Sequence, residues 1–172
     1  MHLRHVRFYE PTCMSCRTLK GEISPPGGII HQNACWVFYL RAHPLLSPAQ
    51  GLIVLRRHCE NLSDLTRDEL MTLGLTMCNT ERALVQVIAP VKVHFGLYAE
   101  DVKHVHVHVM PRSSTMPAGN VSLALLGEWY KLLNRVGIRH AYEDSEVALI
   151  AEQLHKAFEK LSFSEDGSHS MR

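Results

Sequence analysis

Hydrophobic positions along the chain change period several times, and each change marks an element. The sharpest pattern is His104-Val105-His106-Val107-His108-Val109-Met110-Pro111, where polar and β-branched residues alternate strictly. Period two is the mark of a half-buried β-strand. Successive strand side chains point to opposite faces. His104, His106 and His108 are therefore expected on one face, and Val105, Val107 and Val109 against a core. Alternate strand residues lie roughly 6.6 Å apart, which sets a row of imidazoles on a rigid element. Ile29–His31, Cys35–Arg41, Gly51–Arg57 and Val91–Tyr98 predict further strands. The short turn at Ala99–Asp101 makes the last of these and the histidine strand, Val102–Pro111, an antiparallel hairpin.

Helical spacing takes over between the third and fourth strands. Thr66-Arg67-Asp68-Glu69 fits a capping box, in which the threonine hydroxyl accepts an early backbone N–H and the glutamate reaches back. Leu70, Leu73, Met77, Leu84 and Val87/Ile88 then recur near helical spacing until Pro90 stops the run. Beyond Arg112 the spacing predicts two amphipathic helices, Leu123–Val136 and Ser145–Leu161, and the polar residues 164–172 read as a disordered tail. Pro25-Pro26-Gly27-Gly28 and Ser113–Gly119 are loop signals. No repeat and no second core is evident, so residues 113–163 read as a helical extension packed on a single domain.

Composition narrows the classes. A chain of 172 residues can bury one sizeable core. Lys+Arg of 18 against Asp+Glu of 17 gives no charge argument for nucleic acid, and no long basic run appears. Twelve histidines point instead to metal or phosphate chemistry. No apolar run approaches the ~20 residues of a membrane span, and Met1–His5 lacks the apolar region of a secretory signal. The expectation is a cytoplasmic protein with reduced thiols. Cys13-Met14-Ser15-Cys16 then reads as a metal-binding pair rather than a disulfide. Cys35, Cys59 and Cys78 are most simply small apolar residues, with Cys59 a conceivable rival ligand beside His58.

The segment from His104 to Pro111, continuing into Arg112, resembles the His-φ-His-φ-His-φ-φ signature of the histidine triad family. Gly51–His58 followed by Leu62–Thr66 is similar to that family's strand, corner and first long helix, and Cys13-x2-Cys16 resembles the cysteines of its zinc-containing branch. The resemblance spans about residues 13–112, within an expected domain of 1–112. It implies an α+β fold, with a five-stranded antiparallel sheet, one long helix and commonly a homodimer. It also implies hydrolysis or transfer of nucleotides at the α-phosphate through a nucleotidyl-histidine intermediate, with adenine or another purine nucleotide as substrate. Carried over by position, His106 is the nucleophile and His108 contacts the phosphate. Cys13, Cys16, His58 and His104 would hold a structural zinc, leaving no open coordination position for water.

Three positions depart from the family pattern. Arg41 stands where an acidic residue would bind ribose hydroxyls, so that contact is not carried over. Ala99-Glu100-Asp101 replaces a Gly-Gln-Ser/Thr run, and ionised carboxylates accept hydrogen bonds but cannot donate them. His94 is expected to supply the missing donor, with Glu100 and Asp101 beside the nucleotide as acid or base. These departures suggest a variant substrate. They also motivate an alternative, a catalytically weak nucleotide-binding sensor or adaptor. A third reading has His104, His106 and His108 converge on one transition-metal ion.

Overall fold

The computed structural model describes residues 8–44, 46–98, 101–116, 123–138 and 140–168. A short helix, α1 (Met14–Leu19), precedes strands β1 (His31–Gln32), β2 (Trp36–Leu40) and β3 (Gly51–Leu55). The long helix α2 (Arg67–Ile88) follows, then β4 (Lys92–Gly96), β5 (His106–Arg112), α3 (Leu123–Arg135) and α4 (Asp144–Ser168). The five strands form one sheet in the order β1-β2-β3-β5-β4, and all four pairings are antiparallel. The architecture is the expected α+β one. No helix among the described residues is long and apolar enough to cross a membrane.

One face of the sheet carries the principal core. Trp36, Phe38 and Leu40 of β2, Ile53 and Leu55 of β3, and Val107 and Val109 of β5 bury against Ala83 and Leu84 of α2 and Val147, Ala151, Leu154 and Phe158 of α4. Alternation puts the other strand residues on the opposite face, where Val37, Tyr39 and Val54 pack with Leu19 and Ile29 of the N-terminal segment. That segment explains why all five residues of β2 are buried.

The capping box is present in full. Thr66 Oγ1 accepts the Glu69 N–H at 3.2 Å, and Glu69 Oε2 accepts the Thr66 N–H at 2.7 Å. Helix α2 ends at Ala89, which adopts the left-handed conformation (φ 42°) just before Pro90. Leu70, however, is 48% exposed. The face turned to the sheet runs through Leu73, Met77 and Leu84 with buried Thr76 and Thr80, and Leu70 lies on its flank.

Other boundaries also differ from expectation. β5 begins at His106 rather than at Val102. Ahead of it, Val105 donates to the Cys59 carbonyl while its own carbonyl accepts from Leu55, so the chain is held by the β3 exit before the regular ladder starts. Helix α4 runs past Leu161 to Ser168, taking in residues 164–168 of the expected tail, because Gly167 is the first helix breaker there. Residues 169–172 lie outside the described residues. α4 packs into the main core through Val147, Ala151, Leu154 and Phe158. The loop before β1 presses on this helix at Gly27 (φ +73°), where a Cβ would sit 2.3 Å from that of Ala151. Leu126 of α3 packs with Leu46, Met110 and Met116 in a smaller cluster at the far end of β5.

Candidate active site and metal centre

Four buried side chains meet at the start of the histidine segment. The ligand atoms of Cys13, Cys16, His58 and His104 lie within 4.8 Å of one another. Cys13 Sγ is 3.4 Å from His104 Nδ1, and Cys16 Sγ is 3.4 Å from His58 Nδ1 and 3.6 Å from His104 Nδ1. Zinc–sulfur bonds of ~2.3 Å and zinc–nitrogen bonds of ~2.05 Å at tetrahedral angles place sulfur and nitrogen roughly 3.6 Å apart. The residues present therefore fit a tetrahedral ion with two thiolate and two imidazole ligands.

The second ring nitrogens are also engaged. His104 Nε2–H donates to the Leu55 carbonyl at 2.8 Å, and His58 Nε2 lies 3.6 Å from Glu60 Oε1. Such outer partners turn the Nδ1 atoms toward the cysteine sulfurs. Burial holds the His104 pKa down to about 4, opposed by the Leu55 carbonyl. Burial likewise pushes the Cys16 thiol up to about 11, with the Glu10 N–H pulling the other way. A cation between the four groups would favour the neutral imidazole and supply the charge that a buried thiolate needs.

Local structure delivers these ligands. The N–H of Cys13, just ahead of α1, is tied to the Glu10 carbonyl, and Cys16 follows one turn later. His58 follows Arg57, whose guanidinium grips Glu69 with Nε–Oε1 at 2.6 Å and Nη2–Oε2 at 2.8 Å. The exit of β3 is thus clamped to the capping box of α2.

His106 and His108 form the second half of the site. His106 Nδ1–H donates to the His104 carbonyl at 2.5 Å, which leaves the Nε2 lone pair outward. That nitrogen sits 3.2 Å from His108 Nε2. His106 is buried (6% exposed) and His108 partly so. Burial first, then the positive charges of His106 and Arg41, hold the His108 pKa down to about 4, while Asp101 opposes them. Near neutral pH His108 is therefore a neutral imidazole, its Nε2 turned to the Nε2 of His106.

Of the expected site residues, His106 and His108 come together, and Asp101 lies near enough for its charge to reach His108. His94 is exposed on β4, opposite Met110, two residues short of the Gly96 that pairs with His108. Glu100 lies outside the described residues. Unanticipated is Tyr98, whose ring lies 5.4 Å from that of His108. Its path crosses Gly96, where a Cβ would meet Tyr98 atoms at 2.7–2.8 Å. The Gly96-x-Tyr98 spacing was the available signal. An open cavity of about 330 Å³ between β1 and α4, bordered by His31, His155 and Phe158, includes no triad residue.

Sheet, helix and paired imidazoles define an α+β domain with a histidine-based site beside a thiolate-imidazole cluster. The family model for the HIT domain matches residues 28–115, just over half of the 172. The chain belongs to the HIT domain family. The matched segment begins after Cys16, so the two thiols lie outside it.

Solved structures with this fold include a Zn-bound histidine triad family protein from Mycobacterium smegmatis, with a TM-score of 0.65 at 15% identity, covering 89% of this chain and 97% of that one. A Hit-like protein involved in cell-cycle regulation from Bartonella henselae aligns at TM-score 0.64 and 13% identity, over 87% of this chain and 98% of its own. A hypothetical histidine triad nucleotide-binding protein from Sulfolobus tokodaii gives 0.65 and 15%, over 87% and 93%. Among curated proteins none matches this chain in sequence.

Proposed function

We propose that this protein hydrolyses or transfers nucleotides at the α-phosphate, with His106 as nucleophile. One observation carries the reading: the His104 carbonyl holds His106 Nδ1–H, presenting a lone pair on Nε2 to the face shared with His108. A neutral imidazole with its tautomer fixed is the form that attacks phosphorus. In the first step the Nε2 lone pair forms a bond to phosphorus. The bond from phosphorus to the leaving group breaks, and the leaving group departs with its electron pair and takes up a proton. In the second step water, or another acceptor, attacks phosphorus, loses its proton and returns the electron pair to His106. The His108 N–H would donate to a non-bridging phosphoryl oxygen as charge develops.

Cys13, Cys16, His58 and His104 would hold zinc. With all four positions filled by protein, the ion would supply a cross-link between the N-terminal segment and the sheet, not an activated water. The Mycobacterium smegmatis protein of the same fold is Zn-bound, which supports this reading. The homodimer remains part of the proposal, to be read from sedimentation equilibrium. Asp101, a carboxylate whose charge reaches His108, favours one alternative, a sensor that binds nucleotide without turnover.

The test is incubation with an adenosine phosphoramidate and a panel of dinucleoside polyphosphates, followed by rapid quench and mass spectrometry. A nucleotidyl adduct on His106, absent from a folded His106→Asn variant, is expected. An adduct on another residue refutes the assignment, and tight binding with neither adduct nor product establishes the sensor.

A further inference from the structure

One part of the same face has no role in that chemistry. Leu40 pairs with Gly51 where β2 meets β3, and pairing continues a step further, with the Arg41 N–H donating to the Gln50 carbonyl at 3.0 Å. Leu40 points into the helix-side core. Arg41 and Gln50 therefore fall, by strand alternation, on the opposite face, with Tyr39 and Leu52. Leu52 is the cross-strand partner of His108, so this pair lies one row along the sheet from it.

Gln50 is only 6% exposed, and its Oε1 is buried with no hydrogen-bond partner among the described residues. A buried acceptor without a donor is rare in folded proteins and calls for an explanation. Arg41 is partly dehydrated, which pulls its pKa below the ordinary value, and its charge reaches His108. Among the described residues no carboxylate pairs with it. Two neighbouring positions on this face thus carry a guanidinium and a buried acceptor that the described residues leave without a side-chain partner. An anion answers the guanidinium, and a hydroxyl or N–H answers Gln50 Oε1. A polyphosphate chain satisfies only the first, because it carries no donor near neutral pH. A ribose bearing a phosphate ester next to a free hydroxyl satisfies both.

We propose that Arg41 and Gln50 form a sugar-phosphate subsite, and that the preferred ligands are nucleotides phosphorylated on the ribose as well as at the 5′ position. This rests on the nucleotide reading above. The test is isothermal titration of the full chain with adenosine 5′-monophosphate, adenosine 5′-diphosphate, and adenosine 3′,5′- and 2′,5′-bisphosphate. At least one ribose bisphosphate is expected to bind about tenfold more tightly than the monophosphate or the diphosphate. Arg41→Gln, with unchanged melting temperature, abolishes that preference while altering monophosphate affinity less than about threefold. Gln50→Leu removes the advantage of adenosine 3′,5′-bisphosphate over its 2′-deoxy analogue. Equal affinity for the mono- and bisphosphates, survival of the preference in Arg41→Gln, or tighter binding of the diphosphate overturns the subsite and leaves the function standing. Failure of every nucleotide to bind overturns both.

Discussion

Replacing Glu69 with alanine is expected to destabilise the protein by about 4 kcal/mol, more than any other single change on the surface of α2. Three hydrogen bonds end on this carboxylate, two from Arg57 and one from the Thr66 N–H. Loss of the returning half of the capping box costs ~1 kcal/mol. Stranding the Arg57 guanidinium costs more. Its side chain is 17% exposed and that of Glu69 is 10% exposed, and breaking a buried pair from one side typically costs ~3–5 kcal/mol. The lower end applies, ~3 kcal/mol, because Arg57 Nη2 keeps the Asp64 carbonyl at 2.9 Å. For a chain of this size each kcal/mol moves the melting temperature ~2–4 °C, so a drop of roughly 10–15 °C is expected. Urea unfolding at neutral pH measures it directly. Thr66→Ala, which removes only the cap, should cost ~1 kcal/mol. The double variant Arg57→Met/Glu69→Leu should recover most of the loss, since apolar replacements leave no buried charge behind. The hydrogen bonds from Arg57 hold the Glu69 pKa below the usual carboxylate range. The contribution is therefore complete above that range and lost as pH falls through the lowered value, so wild type and Glu69→Ala converge in acid. A single variant within 1 kcal/mol of wild type, or a double variant as unstable as the two singles summed, refutes the reasoning.

Other outcomes follow from the same geometry. Wild-type protein should bind one equivalent of zinc per chain with release of protons, and Cys16→Ser none; metal retained in that variant would instead favour a site built from all three triad histidines. In metal-free protein the His104 pKa of about 4 lies below the ordinary 6.5. Stability should then be complete above about pH 6.5 and fall by on the order of 3 kcal/mol toward pH 4, as the unfolded chain takes up the proton that the folded one refuses. A flat profile in urea titrations would contradict this. Gly51→Ala brings a Cβ within 2.7 Å of the Tyr39 carbonyl oxygen and 2.8 Å of the Phe38 ring, and should cost ~1–3 kcal/mol. Gly96→Ala meets only the half-exposed Tyr98 ring, so melting should barely shift while the ring resonances of His108 move in NMR spectra as Tyr98 swings away.

What could be seen in the sequence was whatever local spacing determines. The capping box needs four residues, and the strict alternation at His104–Met110 fixes a strand without knowledge of its neighbours. The candidate ligands Cys13, Cys16, His58 and His104 came from motif positions along the chain, and the fold brings all four together. Contacts between elements were less accessible. Periodicity showed that residues 145–161 form a helix with an apolar stripe, but not that Val147, Ala151 and Leu154 would complete the main core. It marked Leu70 as apolar without revealing how α2 is rotated about its axis. Arg41 and Gln50 are nine residues apart, and only the β2–β3 register sets them side by side. His104 reads as the first member of an even row, yet its backbone belongs to the β3 exit and its ring to the thiols.

That double attachment has a practical corollary. The ring of His104 joins the thiol lobe while its carbonyl, a few bonds away, aims the imidazole of His106. On the nucleotide reading proposed above, loss of metal would leave that ring held by the Leu55 carbonyl alone and loosen the aim of His106. A partly demetallated batch would then behave as a mixture of competent and misaligned molecules, with rates scaling with bound metal rather than with protein mass. If the chain turns over nucleotides as proposed, its kinetic constants should be compared per bound metal rather than per chain.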